Sequence, residues 1–483
     1  MNTRNSEDIQ LDFLISALSH GHFMPTEEIL AWMKQRNDEV ISDIKQIPIN
    51  ELKGWNYRDD RIRHDSDKFF SIDGIHIETN YRNTPQWDQP IINQPEIGFL
   101  GFIVKKLNGV MHFLMQAKIE PGNLNIVQLS PTLQATRSNY TRVHGGKSPL
   151  YLEYFNGEKE VTVLVDQLQS EQGARFLHKR NRNIIVEVDE NENMDVKSNF
   201  IWVSLGQIKE LLRYPNVVNM DSRTVISCIK FGSYSERSLK LVNSLSKQVG
   251  EAESNTINKT DSYLYSVLSA ENHLHDIQYI IQWMTSLKFK YELNVSPIGI
   301  SNMKHWIYDG ETIHHDQKKY FDIIGVHVEI GNREVISWDQ PMVRSAQEGL
   351  MGFVVKKING IYHFLVQAKL ESGNFDVVEM APTVQCLTGN YRKGKNEYTI
   401  PYLDTILEAP EDKIWYSCYQ SEEGGRFFQE QNLNTIVEVG DGFPIEVEEN
   451  YCWMTLNQLL SFVTYNNYLN IAARSLLSAI SFY

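Results

Sequence analysis

The stretch "GFLGFIVKKLNGVMHFLMQAKIEPGN" occupies residues 98–123, and "GLMGFVVKKINGIYHFLVQAKLESGN" occupies residues 349–374. Each places an Asn-Gly pair between two runs rich in apolar and β-prone residues, which is the strongest short signal for a β-hairpin. We therefore predict turns at Asn108-Gly109 and at Asn359-Gly360. The duplication of so specific a segment predicts that a larger unit is repeated.

The repeat extends over nearly the whole chain. A shift of 251 positions places Trp32 on Trp283 and Trp202 on Trp453. From Trp87 to Gln134, 25 of 48 positions are identical in the second copy. A period this long, present in two copies, indicates a duplicated domain rather than a solenoid, whose repeats run about 20 to 50 residues.

The chain is accordingly divided into a first repeat (1–232), a polar connector (233–261) and a second repeat (262–483). Each repeat begins and ends with helical patterns, and β-prone runs dominate its middle. The predicted fold class is α+β: two tandem duplicated domains, each an antiparallel-rich open barrel or sheet with flanking helices.

Composition restricts the kind of protein. The net charge of −15 disfavours non-specific binding to nucleic acid. The sequence has neither an export signal nor an apolar run of about eighteen residues, so we expect a cytoplasmic protein without a membrane partner. The four cysteines show no CxxC spacing and predict free thiols rather than a disulfide scaffold or a zinc site.

Familiar catalytic signatures are missing from the sequence. It has no GxGxxG after a strand, no GxxxxGK[ST], no GxSxG and no HExxH, which argues against a Rossmann enzyme, a P-loop nucleotidase and a zinc protease. His76 and Glu78, like His327 and Glu329, alternate along a strand, but neither pair has a third ligand at a recognisable spacing. We therefore predict no metal and no cofactor.

The strand that follows each hairpin turn carries a row of polar side chains. Because side chains alternate along a strand, His363, Gln367, Lys369 and Glu371 share one face, and the first repeat has the same residue types on that face. A solvent-exposed strand face is one interpretation, since Lys and Glu are usually exposed. Retention of the whole row in both copies favours the other interpretation, a lined pocket.

The segment "SEEGGRF" (421–427) combines two carboxylates, two glycines and an arginine. Glycines let a backbone approach a ligand closely, and the guanidinium fork of Arg426 suits a phosphate. The alternative is an ordinary turn with an incidental surface arginine.

The repeated block "WDQP…GF.VKK.NG..HFL.QAK.E.GN…PT.Q…NY", followed by "SEEGGRF" and "NIAARSLL", resembles the nucleoside-diphosphate-hexose 2,3-dehydratases of deoxysugar biosynthesis. The resemblance covers nearly the whole chain. It implies a homodimer whose subunits contain two Nudix-like domains, each able to bind a nucleotide sugar, and it implies dTDP-4-keto-6-deoxyglucose as substrate. Neither repeat contains the Nudix box, which argues against metal-dependent pyrophosphate hydrolysis.

The implied reaction needs no redox cofactor. The ketone at C4 acidifies the hydrogen on C3, so a base forms an enolate, which expels the C2 hydroxyl and leaves an enol that relaxes to a 3,4-diketo-2,6-dideoxysugar. The protein must supply a base, a donor or cation for the enolate oxygen, and an acid for the departing hydroxide. A non-catalytic nucleotide-sugar binding protein is the alternative, and a Nudix-type hydrolase is a less favoured one.

We expect catalysis in the second repeat, because "SEEGGRF" and "PTVQ" match the family strings better there. Lys369 is the candidate for stabilising the enolate, and Glu371 or His363 for the base or acid. Arg426 and Arg474 are candidates for the pyrophosphate, and Trp338 and Tyr391 for the base or sugar face. Other predicted substrate contacts in this repeat are Gln340, Gln367, Asn374, Thr383, Gln385, Asn390, Glu422, Glu423 and Gly424.

The first repeat is expected to hold a second nucleotide-sugar site that supports catalysis or only binds. Its candidate residues are Trp87, Gln116, Lys118, Glu120, Asn139, Tyr140, Arg175 and Arg223.

Overall fold

The computed structural model describes residues 4–21, 23–81, 84–136, 148–232, 235, 237, 240, 263–331, 336–387 and 400–482. The predicted connector, 233–261, lies almost wholly outside these residues. The helices are α1 (Ser6–Ala17), α2 (Thr26–Asp38), α3 (Leu205–Leu211), α4 (Met220–Ser227), α5 (Ile277–Lys290), α6 (Leu403–Leu407), α7 (Leu456–Val463) and α8 (Ile471–Ser478).

The strands follow the same order in the two repeats. Those of the first repeat are β1 (Ser42–Ile47), β2 (Trp55–Arg58), β3 (Arg61–His64), β4 (Ser71–Thr79), β5 (Gln86–Asn93), β6 (Phe99–Leu107), β7 (Val110–Ile119), β8 (Val127–Ser130), β9 (Leu133–Ala135), β10 (Thr162–Ser170), β11 (Arg180–Glu187) and β12 (Phe200–Ser204). Those of the second are β13 (Leu293–Ile298), β14 (Trp306–Tyr308), β15 (Thr312–His315), β16 (Phe321–Ile330), β17 (Ser337–Ser345), β18 (Gly349–Ile358), β19 (Ile361–Lys369), β20 (Glu379–Ala381), β21 (Val384–Leu387), β22 (Ile414–Ser421), β23 (Gln431–Val439) and β24 (Tyr451–Thr455).

Both predicted hairpins form. β6 and β7 pair antiparallel, and the turn residues Asn108 and Gly109 have φ of 51° and 81°, the left-handed values that a type I′ turn requires. Asn359 and Gly360 repeat this geometry between β18 and β19, with φ of 52° and 85°. Asparagine and glycine tolerate these angles at low cost, so the local sequence determines where each hairpin turns.

Each hairpin lies in a seven-stranded sheet. The first has the order β10-β11-β6-β7-β12, with β8 beside β7 and β9 beside β6, and the second repeats this arrangement. The pairings are antiparallel except for β11 with β6 and β23 with β18. Neither sheet closes on itself, which confirms two repeated α+β domains with open, mostly antiparallel sheets.

The two five-stranded sheets exchange one strand between the repeats. β1 of the first repeat pairs with β16 of the second, so that Ser42 lies opposite Ile330. β13 of the second repeat pairs with β4 of the first, so that Leu293 lies opposite Thr79. One hydrophobic cluster also includes side chains of both repeats, such as Phe102 and Phe353, which are both fully buried. The two repeats are therefore intertwined rather than separate domains along the chain.

The helices close the ends of the large sheets. The side chain of Ser204 caps α3 and that of Thr455 caps α7, each in a capping box that satisfies backbone amides of the first turn. The side chains of Asn219 and Asn470 cap α4 and α8 by accepting a hydrogen bond from the backbone amides of Ser222 and Ala473. Of the helices in the part of the chain that the structure describes, none has both the length and the apolar character for crossing a membrane.

Candidate active site

Two loops from different repeats, the one after β7 and the one after β22, are in backbone contact. The amide of Gly122 donates a hydrogen bond to the carbonyl oxygen of Gly424 at 2.7 Å. A Cβ on Gly122 would lie 1.7 Å from the carbonyl oxygen of Phe427, and one on Gly424 would lie 2.1 Å from Oδ1 of Asn123. Gly424, predicted to approach a ligand, instead lets the two backbones approach each other.

This meeting point forms one wall of a cavity of about 990 Å³ that both repeats line, hereafter the composite cavity. The first repeat contributes polar groups from β7, β9 and α4, and the second contributes strand β17 and the loop after β22. The lining side chains that matter for chemistry are Gln116, Lys118, Glu120, Gln134, Lys179, Asp221, Trp338, Gln340, Glu423 and Arg426.

The polar face of β7 and the residue that follows it line this cavity rather than bulk solvent. The carboxylate of Glu120 accepts a hydrogen bond from Nε2 of Gln134 at 2.8 Å, and Gln134 in turn accepts one from Asn219 at 3.2 Å. The ammonium of Lys118 donates to the carbonyl oxygen of Gln134 at 3.2 Å. Gln134 thus holds both Lys118 and Glu120 in position, and Glu120 is only 5% exposed.

The second repeat supplies an arginine and an aromatic ring. The guanidinium carbon of Arg426 lies 4.1 Å from the ring centroid of Phe70, and NH1 donates to the carbonyl oxygen of Gly425 at 2.8 Å. Trp338 donates from Nε1 to Gln340, whose Nε2 donates to the same carbonyl oxygen at 2.7 Å. These contacts hold the indole and the guanidinium side by side.

The cavity gathers carboxyl groups in a poorly solvated place. Burial raises the pKa of Glu423 to about 7, against the attraction of Arg426 and together with repulsion from Glu171 and Glu120. Burial likewise raises the pKa of Asp221 well above its usual range, and Glu423 and Glu120 add to this. Burial lowers the pKa of the Lys179 ammonium. Carboxyls with raised pKa values and basic side chains therefore face one volume, an arrangement suited to proton transfer beside an anion.

Comparison with known proteins agrees with this geometry. A family model described as NDP-hexose 2,3-dehydratase matches residues 26–229 and, a second time, residues 277–480. The chain belongs to the NDP-hexose 2,3-dehydratase family. The resemblance predicted from the repeated block is thereby confirmed.

Three relatives in this family match almost end to end. A dTDP-4-dehydro-6-deoxy-alpha-D-glucopyranose 2,3-dehydratase of Saccharopolyspora spinosa is 40% identical over 474 residues, which cover 97% of this chain and 94% of the relative. Proteins with the same name from Amycolatopsis orientalis and Streptomyces violaceoruber are 37% and 40% identical, and the matches cover 97% and 93% of this chain and 93% and 96% of those relatives.

The second dehydratase repeat builds an equivalent cluster against loops of the first. Glu371 accepts from Gln385 at 2.9 Å, Gln385 accepts from Asn470 at 2.8 Å, and Lys369 donates to the carbonyl oxygen of Gln385 at 3.2 Å. Arg175 of the first repeat stacks on Phe321, with its guanidinium carbon 4.0 Å from the ring centroid. Burial raises the pKa of Glu371.

Three chemical differences separate this equivalent cluster from the composite cavity. A shift of 251 positions places Glu430 where the composite cavity has Lys179, Ala472 where it has Asp221, and Gln172 where it has Glu423. The equivalent cluster therefore lacks the carboxyls of Asp221 and Glu423, and it has a carboxyl, Glu430, in place of the cation of Lys179. Trp87 and Gln89 reproduce the Trp338–Gln340 contact, with Nε1 of Trp87 2.9 Å from Oε1 of Gln89.

The "SEEGGRF" segment serves both clusters. Glu423 and Arg426 face the composite cavity. Glu422 accepts hydrogen bonds from Asn432 and, at 3.3 Å, from Gln172, and burial and repulsion from Glu430 raise its pKa to about 8. Arg426 lines a cavity, which favours the ligand-binding interpretation of this segment over an ordinary turn with an incidental surface arginine.

Several predicted site residues have their polar atoms occupied by the fold. Nε2 of His363 accepts from the amide of Leu274 at 3.0 Å, and Nδ1 lies 3.2 Å from the carbonyl oxygen of Ile361. Burial lowers the pKa of His363 to about 4. The hydroxyl of Thr383 accepts a hydrogen bond from the amide of Val354 in β18 and donates one to the carbonyl oxygen of Leu365 in β19. Gln367 donates to the hydroxyl of Tyr451 at 2.9 Å. These contacts favour a structural role for all three residues.

The two predicted arginines of the terminal helices are also buried in the fold. Arg474 of α8 is fully buried and donates to the carbonyl oxygens of Leu469 and Ser170. Arg223 of α4 donates to Gln420 at 3.0 Å and to the carbonyl oxygen of Ser421. Each arginine thus connects its own repeat to the other, and this favours a structural role over contact with a pyrophosphate.

Four predicted residues, Asn139, Tyr140, Asn390 and Tyr391, lie outside the described residues. Asn374 is buried, and neither polar atom of its amide has a hydrogen-bond partner among the described residues. His76 and His327 each contact an aspartate on the neighbouring strand, Asp88 and Asp339, at 2.5 Å. Within the described part of the chain, no three His, Cys, Asp or Glu side chains come together as a metal site would require.

Sequence reasoning missed Asp221 and Lys179. Retention in both repeats is the signal that points to Lys118 and Glu120, whereas Asp221 and Lys179 differ between the repeats. A signal was present in the sequence: within two otherwise similar terminal segments, "NMDSRTV" and "NIAARSL", a carboxylate stands opposite Ala472. An acidic residue that is present in only one of two repeats is a candidate for a function that only that repeat performs.

Proposed function

We propose that this protein removes water across C2 and C3 of dTDP-4-dehydro-6-deoxy-D-glucose, and that it does so in the composite cavity. The observation that carries the proposal is that the cavity combines Lys118 and Glu120 of one repeat with Trp338 and Arg426 of the other. Membership of the 2,3-dehydratase family supports the reaction class. The names of the three relatives support the dTDP-linked substrate.

The nucleotide end of the substrate fits the second repeat's side of the cavity. The fork of Arg426 suits a pyrophosphate, and its stacking on Phe70 restricts the guanidinium to one orientation. Lys179, which is buried near the same loop, adds a second cation. The indole of Trp338, held by Gln340, offers a flat apolar surface to a base or sugar ring.

The ketosugar end fits the Lys118–Glu120 side. We assign to Glu120 the removal of the hydrogen from C3, and to the ammonium of Lys118 the stabilisation of the oxygen on C4 as the enolate forms. Gln134 holds both groups by hydrogen bonds, which pre-organises them before substrate arrives. The elimination then gives the enol of a 3,4-diketo-2,6-dideoxysugar.

We assign catalysis to this cavity rather than to the second repeat's own Lys369 and Glu371. β-Elimination needs a base and an acid. The composite cavity combines the carboxyls of Glu120, Asp221 and Glu423 with the ammonium of Lys179, whereas the equivalent cluster has no carboxyl at the position of Asp221 and has Glu430 in place of that cation. The equivalent cluster retains Arg175 and Trp87 and is proposed as a second nucleotide-sugar site without turnover.

Three expectations from the sequence stay predictions: the homodimer, the Nudix-like fold and the cytoplasmic location. Two copies are proposed to form a homodimer, which the apolar stripe of Ile277, Ile281 and Phe289 on α5 supports, since Phe289 is 92% exposed. The repeats are proposed to be Nudix-like, in line with the single parallel pairing inside each large sheet. A cytoplasmic location, without nucleic-acid or membrane partners, also stays a prediction.

The proposal is tested by incubating the purified protein with dTDP-4-dehydro-6-deoxy-D-glucose and measuring product mass, with and without a chelator. We expect loss of one water in both samples. No change of mass would favour the non-catalytic nucleotide-sugar binding protein, and a cleaved diphosphate would favour the Nudix-type hydrolase. Activity that a chelator abolishes and magnesium restores would refute the metal-free mechanism.

A further inference from the structure

Asp221 stands in the wall of the composite cavity at the first turn of α4. Asn219 caps that helix by accepting from the amide of Ser222 at 2.9 Å, so the position of Asp221 is rigidly determined. Asp221 is only 4% exposed. Among the described residues none donates a hydrogen bond to its carboxyl, whereas Glu120 has a donor in Gln134. The carboxyl is therefore oriented and buried, yet it accepts no hydrogen bond from the described residues.

The groups that face Asp221 determine its protonation. Burial is the largest influence, and Glu423, Glu120 and Glu171 repel its ionised form, whereas Lys118 attracts it. The guanidinium groups of Arg426 and Arg223 are also within electrostatic range. The balance raises the pKa well above the usual range of an aspartate, which favours the protonated carboxyl.

We infer that Asp221 is the general acid that protonates the C2 hydroxyl as it leaves. This inference rests on the proposed function, since it concerns the same cavity and the same elimination. Hydroxide is a poor leaving group. Once the enolate has formed, an acid beside C2 is therefore needed to protonate the departing oxygen. Asp221 is catalytic in this assignment because its carboxyl touches the reacting oxygen.

The step balances without any co-reactant. Glu120 takes the proton from C3, and the C–H electron pair becomes the enolate that Lys118 stabilises. That pair then forms the C2–C3 double bond, the C2–O bond breaks, and the departing oxygen takes the proton of Asp221 and leaves as water. Transfer of the proton held on Glu120 to Asp221, directly or through solvent, restores both groups.

The equivalent position in the other half of the chain is Ala472, which is buried in the hydrophobic core. An alanine has no proton to transfer. The second repeat therefore keeps the base–cation pair, Glu371 and Lys369, but lacks an acid at the position of Asp221. The assignment thus explains why one of two similar clusters performs the elimination.

The test replaces the leaving group. In Asp221→Asn, water loss from the natural 2-hydroxy ketosugar should fall at least about a hundredfold, the scale typical of losing a positioned proton donor. The same variant should eliminate fluoride from the 2-deoxy-2-fluoro analogue at a rate close to wild type, because fluoride departs without a proton. Asp404→Asn, an exposed aspartate of α6, is the matched control and should leave both rates unchanged.

The outcomes distinguish a role of Asp221 in acid catalysis from a role in packing alone. Equal losses on both substrates, or no loss on the hydroxyl substrate, would overturn the assignment. If wild-type protein fails to dehydrate the natural substrate, the proposed function fails instead. Wild-type protein alone gives a second test that needs no folded variant: water loss should decline at alkaline pH while fluoride loss does not, and parallel pH profiles would also overturn the assignment.

Discussion

The amide of Gly122 donates to the carbonyl oxygen of Gly424 at 2.7 Å, and the amide of Gly373 donates to the carbonyl oxygen of Gly173 at 2.7 Å. These reciprocal contacts bring the loop that follows β7 or β19 in each repeat against the arginine-bearing loop of the other. A site built this way requires both repeats. Its geometry depends on glycines, since any side chain would separate the loops.

Gly122→Ala should destabilise the protein and disturb the composite cavity. The added Cβ would lie 1.7 Å from the carbonyl oxygen of Phe427, which is backbone and cannot rotate away. We expect a loss of about 1–3 kcal/mol or more, which thermal unfolding would detect. Gly440→Ala is the control, because a Cβ there meets nothing within 4 Å. Equal melting temperatures for the two variants would contradict the packing argument.

Lys118→Ala and Glu120→Ala should each reduce turnover at least about a hundredfold, as expected for loss of a preorganised donor or a proton-transfer group. The matched substitutions in the second repeat, Lys369→Ala and Glu371→Ala, should cost much less. Turnover of dTDP-4-dehydro-6-deoxyglucose measures the difference. Each variant must keep its melting temperature and its affinity for dTDP, so that the defect is placed in chemistry. The reverse pattern would place catalysis in the second repeat.

Arg426→Ala should weaken binding of dTDP. A hydrogen bond to a charged group contributes about 1.5–3 kcal/mol, which corresponds to roughly a tenfold or larger rise in Kd measured by calorimetry. Arg58→Ala removes an exposed arginine that is ion-paired with Asp67 and serves as the control. An unchanged Kd for Arg426→Ala would show that the pyrophosphate binds elsewhere.

Glu379→Gln should stabilise the protein increasingly as pH rises from about 4.3 to 7. Glu379 is 1% exposed, and burial raises its pKa to about 7. The folded state therefore keeps a proton that the unfolded state releases near pH 4.3, and wild-type stability falls across that interval by up to about 3 kcal/mol. Glutamine has no proton to release.

The first repeat shows that a glutamine fits at this position. Ser421 donates to Oε1 of its counterpart, Gln128, at 2.9 Å, just as Ser170 donates to Glu379 at 2.9 Å. Melting temperatures of wild type and Glu379→Gln measured between pH 4.5 and 8 provide the test, with the exposed Glu411→Gln as control. A constant difference across that range would show that Glu379 ionises normally.

Substrate without the C4 ketone should bind and not react. The ketone is what makes the C3 hydrogen acidic, so dTDP-glucose should compete for the cavity but lose no water. In deuterium oxide, the ketosugar should exchange its C3 hydrogen with solvent when elimination is slowed by Asp221→Asn. Water loss from dTDP-glucose would refute the enolate mechanism.

Local sequence predicted the elements whose conformation depends on neighbouring residues alone. The Asn-Gly turns and the alternation that places Lys118 and Glu120 on one face both follow from backbone preferences and periodicity. The shift of 251 positions and the family strings likewise required no coordinates.

Burial was harder to predict from the residues. His363, Arg223 and Arg474 were assigned to the site from their side-chain chemistry, and the structure surrounds them with backbone partners instead. A sequence does not distinguish an arginine that will hold a phosphate from one that will satisfy buried carbonyl oxygens. That difference depends on which groups the fold brings within hydrogen-bonding distance.

The sequence by itself determined that the chain is a duplicated dehydratase with a Lys–Glu strand in each half. Only the tertiary structure decided that each half completes the other's site. β1 and β13 are equivalent segments, and backbone hydrogen bonding along a strand edge is nearly independent of side chains, so the sequence contains no mark of which repeat each strand will join. Exchange of those strands, together with the glycine contacts, is what places Glu120 and Arg426 around one cavity.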